Sequence, residues 1–169
     1  PLLQQAVGAR GINVTVGAII NDTTGTLIAS NYTDPHMEMG CIFGTGCNAA
    51  YMEKVANIPK LEGLLPKDIP NDSWMAINCE YGAFDNEHAV LPRTKWDVRL
   101  DEESPRPNQQ SYEKMIAGYT LGELLRFILE DLAKEGLFFK GQDISKLKEP
   151  YCMNAEHLSD IETAPWENP

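Results

Sequence analysis

The chain is short of everything that would mark a membrane, nucleic-acid or disulfide-stapled protein. No apolar run approaches the ~18 residues that cross a bilayer, and no basic-then-apolar leader opens the sequence. Basic residues number 14 against 25 acidic ones, a formal net charge of −11. That balance argues against a nucleic-acid groove or an anionic membrane surface as partner. Its four cysteines (Cys41, Cys47, Cys79, Cys152) have no Cys-x-x-Cys spacing. They read as reduced, buried thiols of a cytoplasmic protein, not a zinc site or disulfide frame. The three histidines (His36, His88, His157) share no ligand spacing, so no metal site is expected. Four Asn-x-Ser/Thr sequons (at Asn13, Asn21, Asn31 and Asn71) lack a secretory route to act through. Internal repeats and low-complexity tracts are absent.

What is present fits one globular α/β domain with a real core: 169 residues, 43% hydrophobic and 23% charged. The chain starts Pro1-Leu2-Leu3 without Met, in what reads as the last turns of a helix stopped by Gly11, and it closes on a Pro-rich segment. It reads as a piece of a longer protein. Val14 to Ile20 is β-rich and predicts a buried strand. A tight Asn21-Asp22-Thr23-Thr24-Gly25 turn leads to a second strand over Leu27 to Tyr32. Met39 to Phe43 and Asn48 to Met52 predict two strands joined by Gly44-Thr45-Gly46, and Trp74 to Asn78 predicts another. Asn57 to Ser73 reads as a surface excursion. A short charged helix is expected around Asp97 to Glu103. Asn108 is expected to cap a helix carrying Glu113. Thr120 is expected to cap the longest helix, Leu121 to Glu135, whose apolar 3,4 repeat faces the sheet. Beyond Phe139 the signal weakens.

Four polar features fall at strand ends or helix starts. Asp22, with Asn21 beside it, is placed as a general base would be, though an Asx-turn explains the same residues. Gly44-Thr45-Gly46 can cradle a phosphate with backbone N–H groups, or can simply be a hairpin turn. Glu80 can accept hydrogen bonds from a polyol, or pair with Arg93 or Lys95. Glu113 is by itself compatible with a solvated helix face. Tyr112 and Met115 read as packing.

Taken in order, Ile19 to Thr26, Ile42 to Tyr51, Asn78-Cys79-Glu80-Tyr81-Gly82-Ala83-Phe84 and Pro107 to Met115 resemble eukaryotic hexokinases. Cys-Glu-Tyr-Gly and Asp101-Glu102-Glu103-Ser104-Pro105-Arg106-Pro107 resemble the fungal branch, and the likeness runs from about Leu3 to Phe139. It implies the hexokinase–actin–Hsp70 (ribonuclease H-like) two-lobe ATPase fold, incomplete here. Residues 1–33 would close the small lobe with a catalytic strand-turn, and 34–169 would belong to a truncated large lobe. It also implies ATP-dependent phosphorylation of a hexose, most simply glucose, at the 6-hydroxyl. Asp22 would be the base, Asn21, Asn48, Glu80 and Glu113 would bind sugar, and Gly44, Thr45 and Gly46 would form the second phosphate loop. ATP and Mg²⁺ would be the cofactors, and the full-length parent can be a homodimer. The first phosphate loop, the upstream Thr-Lys sugar segment and the downstream adenosine motif are not in this stretch, so the chain alone is expected to have little or no kinase activity. The other reading is a non-catalytic, hexokinase-like sugar-binding or sugar-sensing protein.

Overall fold

A computed structural model of the chain describes residues 2–164. They fall into two compact units, 2–40 with 51–78 and 41–50 with 79–164. A three-stranded sheet in the order β1-β2-β3 is made by β1 (Met39–Phe43), β2 (Cys47–Lys54) and β3 (Trp74–Asn78). These are the strands expected from the β-rich runs and the glycine turn.

In the first unit, helix α1 (Leu2–Ala9) ends before Gly11, whose φ is 68°. The expected strand Val14 to Ile20 is not one. The segment runs outside any ladder, with the Gln4 side chain donating to Val14 O at 3.1 Å and accepting from Val16 N at 2.7 Å. A β-rich run becomes a strand only where neighbours supply ladder bonds. Ile19 and Ile20 are accordingly exposed.

The expected strand-turn-strand at Asp22 is also corrected, because residues Asp22–Asn31 form helix α2. The Asn21 side chain accepts from Thr23 N at 2.8 Å and Thr24 N at 3.4 Å. That cap satisfies N–H groups a helix start otherwise leaves orphaned. Inside α2 the hydroxyls of Thr26 and Ser30 donate to carbonyls one turn back, while Leu27 is buried. The short apolar run Leu27 to Ala29 has no period that separates helix from strand. Residues 57–73 form the expected excursion, closed at its base by Val55 N on Ser73 O and Ala56 N on Asn71 O.

In the second unit, α3 (Lys95–Glu103) opens on a Thr94–Asp97 capping box. Helix α4 (Ser111–Ile116) is not capped by Asn108, which sits at φ 60°; its N-cap is Gln110, at φ 55°, with no side-chain cap bond. Helix α5 (Gly118–Lys134) starts before Thr120, whose buried hydroxyl donates to Ala117 O. Gly118 N and Tyr119 N find their acceptors in Gly44 O (2.8 Å) and Thr45 O (3.3 Å), so the glycine turn caps α5.

The main packing partners of α5 are α3, α4, α6 (Ala155–Thr163) and the turn Ser145–Lys148, rather than the sheet. Its fully buried positions include Glu123, Arg126 and Phe127, whereas the expected apolar face (Leu121, Leu124, Leu125, Ile128, Leu129, Leu132) is half-buried. Helix α6 was not expected. Its capping box uses Asn154 and His157, with histidine where Glu or Gln is usual, so the ordinary signature is missing.

Candidate functional site

Asn48 is the second residue of the buried stretch of β2, which runs from Cys47 to Ala50. Its Oδ1 accepts from Ala49 N and from Glu80 N, each at 2.8 Å, and its Nδ2 donates to Glu80 Oε1 at 3.2 Å. Glu80 follows β3 in the left-handed region (φ 52°, ψ 41°), where a non-glycine residue is uncommon. The Asn48 amide holds both its backbone and its carboxylate. From there the chain enters a 3₁₀ turn, Tyr81–Ala83.

Glu113 reaches the same neighbourhood from α4. Its Oε2 accepts from Cys47 N at 2.8 Å, one residue before Asn48, and Gln110 Nε2 stands 3.5 Å from its Oε1. Two glycines leave the room. A Cβ on Gly46 would lie 2.7 Å from Glu113 Oε2, and one on Gly82 would lie 3.0 Å from Gln110 Nε2 and 3.1 Å from Glu113 Cβ. Tyr112, on the same helix, packs against Tyr81 and Phe84 with ring centroids 5.8 and 6.2 Å apart, the packing role expected of it.

Gly46→Ala is therefore expected to push the Glu113 carboxylate off the Cys47 N–H. Loss of one such bond corresponds to roughly tenfold faster hydrogen exchange at the Cys47 amide. An unchanged rate would show that the carboxylate finds another seat.

Arg93 and Lys95, the alternative partners considered for Glu80, pair with Asp101 (3.6 Å) and Asp131 (2.7 Å) instead. The nearby thiols and phenol stay neutral at ordinary pH. Burial, then the Glu113 charge, pushes the Cys47 thiol up, with a Tyr81 hydrogen bond pulling the other way. Burial and the Cys47 neighbour push Tyr81 up to about 12. Cys79 is raised by burial and by Cys41. None of these is a ready nucleophile. All four cysteines are free, but Cys41 and Cys79 are exposed rather than buried as expected.

The structure thus brings Asn48, Glu80, Glu113 and Gly46 together within one unit. Gly44 and Thr45 belong to the same turn, which is tightened by Gly44 N on Gly46 O at 2.9 Å. Asn21 and Asp22 belong to the other unit, as N-cap and first residue of α2, where Asp22 Oδ1 accepts from Thr23 N at 2.8 Å. Gln110 was not singled out from the sequence. Its spacing of three before Glu113 is the signal that would have found it. Asn86, Asp101 and Lys114, which brace the α4 segment by hydrogen bonds, carried no local signal.

Two carboxylates, Glu113 held by the Cys47 N–H and Glu80 by the Asn48 amide, offer mainly acceptor oxygens to whatever binds. Such a set suits an uncharged molecule rich in hydroxyl donors, and it penalises analogues that lack them. Among the described residues no group of three or more His, Cys, Asp or Glu is placed to hold a metal ion. No described helix is long and apolar enough to cross a membrane.

A family model described as Hexokinase matches residues 38–168. The chain is 62% identical to Hexokinase-2 of Candida albicans over 169 residues and 59% identical to Hexokinase-1 of Saccharomyces cerevisiae over 168. In both comparisons 99% of this chain aligns with 35% of the relative, so the chain spans about a third of the length of the curated relatives it matches. Among solved structures, a hexokinase from Schistosoma mansoni complexed with glucose superposes with a TM-score of 0.83 at 35% identity, over 98% of this chain and 36% of that one.

Proposed function

The chain belongs to the hexokinase family, and from that premise we propose that the protein carrying it transfers the γ-phosphoryl group of ATP to the 6-hydroxyl of a hexose, glucose first. Its mixed α/β elements are part of that family's actin-like two-lobe fold. The observation that supports the substrate class is the polar cluster Asn48–Glu80–Glu113, two carboxylates and an amide hydrogen-bonded through β2 and seated against Gly46 and Gly82. We assign Asn21 to the sugar as well, on the family resemblance.

In this reading the Asp22 carboxylate takes the 6-hydroxyl proton as O6 attacks the γ-phosphorus, and the bond to the β–γ bridging oxygen breaks to release ADP. Phosphoryl transfer asks the protein mainly for alignment and charge neutralisation. We assign Gly44-Thr45-Gly46 to the phosphates. The turn is anchored by its carbonyls to the start of α5, which holds its backbone still for such a role. Mg²⁺ would be carried on the nucleotide, where it neutralises phosphate charge.

We extend the reading to a cytoplasmic enzyme at the first step of glycolysis, with a homodimer open to the full-length protein and little activity in the isolated chain. The test is ATP-dependent phosphorylation of glucose by the full-length protein, beside titration of glucose binding. Turnover with glucose is expected. Glucose binding without turnover would replace the enzyme by a sugar sensor.

A further inference from the structure

Helix α4 has six residues and carries Glu113. A single short helix of that length has little stability of its own. Its N-cap, Gln110, is in the left-handed conformation and supplies no side-chain cap bond. The orphan Ser111 N–H is instead taken by Asn86 Oδ1, 3.1 Å away and 25 residues earlier in the chain.

Asn86 lies six residues past Glu80, on a loop that is itself locked. The buried Asp85 carboxylate accepts from Ala89 N (2.7 Å), Val90 N (3.1 Å) and Leu91 N (2.8 Å). Those backbone bonds hold its pKa below the ordinary value despite burial. The loop touches the α4 segment elsewhere too, through His88 Nε2 and Asn108 Oδ1 at 3.1 Å, through Gly82 against Gln110 and Glu113, and through the Tyr81 and Phe84 rings against Tyr112. From the far side Asp101 accepts from Lys114 Nζ at 2.7 Å and from Asn108 N at 3.0 Å. Of these contacts, the Asn86 bond alone joins the Glu80 loop directly to the backbone at the first residue of the Glu113 helix.

We propose that Asn86 is a positioning residue of the hexose site: by capping α4 from the loop after Glu80, it holds Glu113 in register with Glu80 and Asn48. The inference rests on the hexokinase reading above. Asn86 touches neither the sugar nor the nucleotide in that reading, so its effect passes through Glu113.

The experiment is steady-state kinetics of the full-length protein with Asn86→Ala and Asn86→Asp. Asn86→Ala should raise the KM for glucose about tenfold, the scale of a lost helix cap, while the KM for ATP stays within about twofold. Asn86→Asp keeps an acceptor oxygen and should restore the glucose KM. A residue serving stability alone would lower the amount of active enzyme and leave both KM values in place. That result, or an equal rise in both, overturns the proposal while the hexokinase reading stands. Should Asn86→Ala fail to fold, hydrogen exchange at the Ser111 amide of the wild type decides. Protection of about tenfold or more is expected there, and exchange at the unstructured rate overturns the proposal. A wild type that phosphorylates no hexose overturns the reading and the inference with it.

Discussion

Asp22→Asn in the full-length protein is expected to lower kcat for glucose phosphorylation by about 10²–10⁴-fold, the range a positioned general base contributes. The amide is nearly isosteric with the carboxylate but does not take the 6-hydroxyl proton. It should not disturb the start of α2. The acceptor that caps that helix belongs to Asn21, and an Asn at position 22 keeps an oxygen for Thr23 N, now bonded at 2.8 Å. Glucose affinity should therefore change little, because the polar groups we assign to the sugar at Asn48, Glu80 and Glu113 are untouched. Turnover and a glucose titration followed by tryptophan fluorescence separate the two quantities. Abolished turnover with binding retained supports Asp22 as the base. Equal turnover in variant and wild type would remove Asp22 from the mechanism.

The physical nature of each feature explains how much of the site and fold was legible in the sequence. Where local chemistry and period agree, as in β1, the glycine turn and β3, the expected elements stand with their boundaries nearly unchanged. The acceptor cluster was legible only as motifs in order. Nothing local to Glu80 or Glu113 says that Asn48 and Cys47 N will meet them across 32 and 66 residues. The Asp22 segment departs from the strand-turn-strand expectation because Val14 to Ile20 looks like a strand to any count of β-branched residues, yet a ladder depends on neighbours the local pattern does not specify. The Asn21 cap then starts Asp22–Asn31 as a helix. Thr120 misled for a related reason. A threonine before an apolar repeat is a good cap candidate, but the Gly44 and Thr45 carbonyls reach the first N–H groups of α5 and start the helix earlier. Asn86 caps α4 from 25 residues away, which no rule of local spacing reports.

The ion pair at the centre of α5 is local in spacing, three residues apart, but its burial is not a local property, and the pair carries the largest expected effect on stability. Glu123 and Arg126 side chains are each only 3% exposed. They bond through Arg126 Nε and Nη2 to both oxygens of Glu123, the Nε contact at 2.8 Å. Each also holds the segment C-terminal to α5. Arg126 Nη1 donates to Leu147 O at 2.6 Å, and Glu123 Oε2 accepts from Tyr151 N at 2.8 Å. Phe127, fully buried, has the guanidinium groups of Arg99 and Arg126 at 3.9 and 4.5 Å from its ring centroid. Arg126→Met keeps much of the side chain's length but leaves the Glu123 carboxylate buried opposite no cation and the Leu147 carbonyl without its donor. Breaking one partner of a buried pair costs about 3–5 kcal/mol. Pairing it with Glu123→Leu removes the stranded charge, so the double variant should be more stable than Arg126→Met alone, short of wild type by the lost Leu147 and Tyr151 bonds. Chemical denaturation of the full-length wild type and the variants, together with hydrogen exchange at the Tyr151 amide, measures both effects. If Arg126→Met unfolds within about 1 kcal/mol of the wild type, the pair is solvated in solution, and the cost expected of a dry pair does not apply to it.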